Sequence, residues 1–191
     1  MSAQTQFSGG FRNASLDVAH AFRAAMTVMA RPGEIRELTG AVPPEPLSVA
    51  AGTLLLTLCD PDTGVYLAGE ADTREVRQWL TFHAGAPLVS DAEADFAVGS
   101  WQALAPLDPY RIGTPEYPDR SATLIVECDA LAQSGAVLHG PGIRDSARLS
   151  LPDIPAMQAN AALYPLGCDF FLTGGTQIAA LPRSTQIMAE G

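Results

Sequence analysis

Phe170-Phe171-Leu172-Thr173-Gly174-Gly175-Thr176-Gln177-Ile178-Ala179-Ala180-Leu181 decides how the C-terminal half is read. Two apolar runs suited to a pleated face flank a glycine pair. Paired glycines supply the positive φ angles of a tight turn, so the stretch predicts a hairpin of strands over 170–173 and 177–181. Working back from it, short apolar runs at 88–89, 94–98, 122–128, 136–139 and 144–149 read as further strands. A short helix is expected over 154–162, and the polar, Pro-rich stretch 107–120 reads as a loop.

The N-terminal half follows a helical period. Val18, Phe22, Met26 and Met29 recur at spacings of four and three, which predicts a helix over 16–30 with that face in the core and Pro32-Gly33 ending it. Pro46 is placed to open a second helix through Leu47, Ala50, Ala51, Leu54, Leu55 and Leu58. After the turn Asp60-Pro61-Asp62-Thr63-Gly64, Val65-Tyr66-Leu67 reads as a strand. Asp72 and Glu75 have capping-box spacing and predict a third helix with Asp72 at its cap, stopped by Gly85 and Pro87. Helices early and a largely antiparallel or mixed sheet late give an α/β sandwich of three layers around a mixed central sheet. Residues 1–14, rich in Ser, Gln and Gly, read as a flexible or partner-docked arm ahead of a single domain over 15–191.

A net charge of −10 opposes nonspecific binding to nucleic acid or anionic membrane. All 11 basic side chains are arginine, which excludes a catalytic lysine or an internal Schiff base with pyridoxal phosphate. No apolar run approaches the roughly 20 residues that cross a bilayer, and no export signal is visible, so a cytoplasmic location is expected. Cys59, Cys128 and Cys168 are far apart, without a C-x-x-C pair, and read as free buried thiols.

Candidate chemistry is sparse. His20, His83 and His139 show no metal-ligand spacing, so neither a metal nor a cofactor is expected, and no catalytic residue is assigned. His20 should face solvent or a partner; His83 shares a helix face with Val76, Trp79 and Leu80. No phosphate-binding fingerprint or nucleophile elbow is present. In His139-Gly140-Pro141-Gly142-Ile143-Arg144, Gly140 and Gly142 either aim backbone N–H groups at an anion beside Arg144 or form a simple turn between strands. In Leu181-Pro182-Arg183-Ser184-Thr185, the guanidinium and hydroxyls of Arg183, Ser184 and Thr185 suit a phosphate or carboxylate oxygen, or equally a structural cap or ion pair. Arg23 and Arg31 on the first helix complete the basic groups.

Six ordered segments carry a family resemblance: His20-Ala21-Phe22-Arg23 with Ala30-Arg31-Pro32-Gly33; Leu54-Leu55-Leu56-Thr57-Leu58; Thr81-Phe82-His83 with Ala86-Pro87-Leu88-Val89-Ser90; Gly140-Pro141-Gly142-Ile143; Tyr164-Pro165-Leu166-Gly167-Cys168-Asp169; and Leu181-Pro182-Arg183-Ser184-Thr185. Together they resemble the PhnH family, the H subunits of the bacterial carbon–phosphorus lyase system. The resemblance implies a subunit associating with G, I and J proteins. With G, I and L components it would support displacement of adenine from ATP by methylphosphonate, giving α-D-ribose 1-methylphosphonate 5-triphosphate. It further implies a fold like the large domain of pyridoxal-phosphate transferases without that cofactor, a homodimer in isolation, and radical cleavage left to the J subunit. A stand-alone small-anion-binding protein using Arg144, Arg183 and His83, and a purely structural scaffold, are the alternatives.

Overall fold

The computed structural model describes residues 8–189, so 1–7 of the arm expected over 1–14 lie outside the described residues. In chain order the elements are α1 (Ala14–Ala30), β1 (Arg36–Glu37), α2 (Val49–Leu58), β2 (Val65–Leu67), α3 (Arg74–Ala84), β3 (Phe96–Ser100), α4 (Trp101–Leu104), β4 (Thr123–Glu127), β5 (Ala136–His139), β6 (Ala147–Leu149), α5 (Ile154–Ala161), β7 (Asp169–Gly174), β8 (Gln177–Leu181) and β9 (Gln186–Met188). The protein is α/β, with a mixed six-stranded central sheet in the order β1-β8-β7-β4-β3-β2 and a second sheet in the order β6-β5-β9.

Alternating side chains of the central strands feed two cores. Val98, Ile125, Phe171 and Ala180 face α1, α2 and α3, whereas Ala97, Leu124, Phe170 and Leu181 face α4, α5 and the small sheet. Strands buried on both faces need near-continuous apolar sequence, which Leu124-Ile125-Val126 supplies. Of the two alternatives for the sheet, largely antiparallel or mixed, the mixed one holds: β2, β3, β4 and β7 run parallel, and β8 and β1 are antiparallel at one side. Of the glycine pair in the β7–β8 hairpin, Gly175 takes the positive φ of 58°.

Several local expectations shift for identifiable reasons. The buried stripe of α1 is Ala21, Ala25 and Val28, whereas Phe22 and Met26 remain 48% and 51% exposed. Small side chains let α1 lie close on α2 and β8, its main contacts, and the large ones turn outward. Helix α2 starts after Ser48, whose hydroxyl accepts the Ala51 N–H, and Pro46 precedes it. At α3 the cap is Thr73, not Asp72, because the Asp72 carboxylate is taken by Arg77. Residues 88–89 contribute a single bridge, Val65 to Leu88, and the strand expected over 144–149 is only its last three residues.

Candidate functional site

The parallel strands β2, β3, β4 and β7 end on one side of the sheet, and the chain leaves two of them in opposite directions. After β2 it runs to α3 on one face, and after β3 directly into α4 on the other. In open α/β sheets, ligands collect in the crevice outside the carboxyl ends of the strands where such connections part. Here that crevice has a volume of about 280 Å³ and is lined by Ser48, Glu70, Ser100, Glu127, Cys128 and Asp129, among others.

Glu127 closes β4 and is its most distinctive group. Its carboxylate accepts the Ser48 N–H at 2.7 Å and the Thr173 hydroxyl at 2.9 Å, while burial pushes its pKa above the ordinary carboxylate value. Two further N–H groups at the start of α2 are satisfied within the chain: Ala50 N–H reaches Gly175 O at 3.0 Å and Ala51 N–H reaches Ser48 Oγ at 3.1 Å. A helix N-terminus at this position is a common phosphate seat, but here internal acceptors fill it. Burial and the neighbouring Glu127 and Asp129 push the Cys128 thiol up to about 11, so at neutral pH it is not a thiolate nucleophile. No Arg or His lines this crevice among the described residues. Its acidic, hydroxyl-rich walls suit a neutral or cationic ligand and disfavour a phosphonate.

The groups proposed from sequence fall into four neighbourhoods. Gly140 backs onto the 184–185 segment, where an added Cβ would lie 3.1 Å from Ser184 O; Gly142 backs onto α1, where an added Cβ would lie 1.9 Å from Ala30 O. Gly140, Gly142, Ser184 and Thr185 thus meet beside the end of α1, with Arg144 exposed on the following turn. Thr185 is buried, and its hydroxyl has no hydrogen-bond partner among the described residues.

Arg183 is held by its neighbours: Nε donates to Asp169 Oδ1 at 3.1 Å, Nη2 to Asp169 Oδ2 at 2.5 Å and Nη1 to Pro118 O at 2.6 Å. Three of its five donors are therefore committed within the chain. Arg23 lies with His20 and Arg36 in a shallow groove between α1 and β1. His83 packs at the end of α3 against Trp79, Phe82 and Gly10, with ring centroids 5.5 Å from Trp79 and 4.9 Å from Phe82.

Glu127 and Ser48 escaped the sequence reading. An acidic residue closing an apolar strand was the available signal, but it gains meaning only once β3, β4 and β7 are known to be parallel.

Comparison with known proteins follows these geometries. A family model described as bacterial phosphonate metabolism protein (PhnH) matches residues 9–188. The alpha-D-ribose 1-methylphosphonate 5-triphosphate synthase subunit PhnH of Rhizobium meliloti (strain 1021) is 40% identical, with 100% of both chains covered. The putative C-P lyase subunit protein HtxG of Stutzerimonas stutzeri is 28% identical over 90% of this chain and 86% of that one.

Proposed function

This chain belongs to the PhnH family of bacterial phosphonate metabolism proteins, and we propose that it acts as a subunit of a carbon–phosphorus lyase system. In that role it supports, with G, I and L components, formation of α-D-ribose 1-methylphosphonate 5-triphosphate from ATP and methylphosphonate, and it assembles with G, I and J subunits. The observation that carries the reading is the 40% identity spanning the whole of both chains.

Two features of the chain support a subunit without self-sufficient catalysis. The crevice at the strand ends is acidic, lined by the carboxylates of Glu70, Glu127 and Asp129 and the protonated Cys128 thiol, with no cationic side chain among the described residues. The arginines sit elsewhere, and Arg183 is largely engaged by Asp169 and Pro118. Exposed Leu16, Phe22 and Met26 on α1 support docking to another chain, either a partner subunit or a second copy in a homodimer. Parallel central strands with helices on both faces, and the lack of lysine, fit a relationship to the large domain of pyridoxal-phosphate transferases from which the cofactor has been lost. The clustering of Gly140, Gly142, Ser184 and Thr185 near Arg144 supports these as the anion-contacting groups, whereas Arg23 and His83 lie outside that cluster and Arg183 is engaged by Asp169 and Pro118.

Growth on methylphosphonate in a strain lacking its own H subunit tests the role. Restored growth is expected. If Arg144→Ala abolishes growth while the complex still assembles, an anion-contacting role stands and a pure scaffold is refuted. Unrestored growth, with the chain expressed and folded alongside its native partners, would contradict the subunit reading.

A further inference from the structure

A cavity of about 830 Å³ lies on the opposite face from α1 to α3, between the 105–112 stretch and α5. That size falls within the range of small-molecule sites. Its walls combine two aromatic rings, Trp101 and Tyr110, with Leu107 and Ala159 and with two carboxylates, Asp108 and Asp153. Both rings are almost wholly buried, so they form fixed walls, whereas Asp108 is exposed at the rim. Asp153 is positioned from two sides: Oδ1 accepts the Ala156 N–H at 3.0 Å as the cap of α5, and Oδ2 accepts the Trp101 indole N–H at 3.3 Å. The long second bond leaves Oδ2 with acceptor capacity for a further donor.

We propose that this cavity is a binding site for a flat, amine-bearing heteroaromatic molecule of neutral or positive charge. Aromatic walls match a planar ring, and the carboxylates match ring N–H and exocyclic amine donors. No Arg or His lines the cavity among the described residues, so nothing there offsets a phosphate or phosphonate charge, which the two carboxylates repel. A free aminopurine has this chemistry, and its phosphorylated nucleotide does not. The assignment goes beyond the subunit role and does not rest on it.

Titration calorimetry on the full chain, with adenine as probe and ATP as its charged control, tests the site. Adenine binds and ATP gives no heat at matched concentration. Ala159→Phe, which fills the cavity from the exposed side of α5, abolishes binding without moving the unfolding midpoint. Asp108→Asn weakens binding roughly tenfold, as loss of one charge-assisted contact should. Absence of heat with millimolar adenine, equal binding of ATP, or binding indifferent to Ala159→Phe each overturns the proposal. Protection of these walls by partner subunits, with no adenine binding, would make the cavity a docking groove and overturn it as well. None of these failures touches the subunit role, which assembly and complementation decide.

Discussion

Replacing Arg183 with alanine should destabilise the protein by about 3 kcal/mol, because it breaks a mostly buried ion pair from one side only. The side chains of Arg183 and Asp169 are 13% and 22% exposed, so solvent screens them little. Loss of the guanidinium removes both of its bonds to Asp169 and the bond to Pro118 O, and leaves Asp169 with the Arg183 backbone N–H at 2.8 Å. Residual water access to Asp169 keeps the cost at the lower end of the range of about 3–5 kcal/mol for such pairs. Equilibrium urea unfolding reads this directly. With a slope of about 2.5 kcal/mol per molar urea, the midpoint should fall by about 1 M. Asp169→Ala should cost a similar amount, and the double variant should show about 2 kcal/mol of coupling. A midpoint shift of under about 0.3 M for Arg183→Ala, with unchanged slope, would refute the clamp and return the guanidinium to a ligand.

Glu127→Gln should relieve the cost of a buried charge. The folded pKa of Glu127 lies above its ordinary value of 4.5, so its contribution is fully present below that value and is lost as pH rises through the folded pKa. The variant should therefore match or exceed the parent near neutral pH and lose that advantage near about pH 4, in urea unfolding at both conditions; a deficit that grows with pH would contradict this. Gly142→Ala forces a Cβ to within 1.9 Å of Ala30 O at a φ of +81°, and calorimetry should show a melting temperature lower by roughly 5–10 °C. Asn160 donates to Cys168 O at 2.9 Å and accepts from Cys168 N at 2.8 Å, so Asn160→Ala should cost about 2–4 kcal/mol in urea unfolding, and Asn160→Asp, which sets a buried carboxylate oxygen against Cys168 O, should cost at least as much at neutral pH.

Local rules located most elements because their signals are local. The β7–β8 hairpin follows from its glycines and flanking apolar runs, and α3 from its buried Val76, Trp79 and Leu80. Burial of α1 was misassigned because periodicity defines several equivalent stripes, and the choice between Phe22/Met26 and Ala21/Ala25 depends on how closely a neighbour approaches. Strand direction was likewise illegible. Parallel pairing of β3 with β4 is fixed by a crossover through α4 and the loop after it, which no run of a few residues reveals.

The candidate site was less legible for the same reason. Glu127 acquires its role from Ser48 and Thr173, which are 79 and 46 residues away in sequence. The family segments did carry spatial information, since they meet in pairs. Ala30-Arg31-Pro32-Gly33 packs on the Gly140–Gly142 turn, and Asp169, at the end of one segment, clamps Arg183 in another. Gly142 in the first pair is needed for backbone approach to Ala30 O, and Arg183 in the second reads as an ion pair.

Reconstitution tests the central claim most directly. The purified chain is mixed with ATP and methylphosphonate alone, and then together with G, I and L components, and adenine release is followed. The account predicts no release from the chain alone and release from the mixture that is lost when this chain is omitted. Turnover by the isolated chain, or full activity without it, would contradict the account.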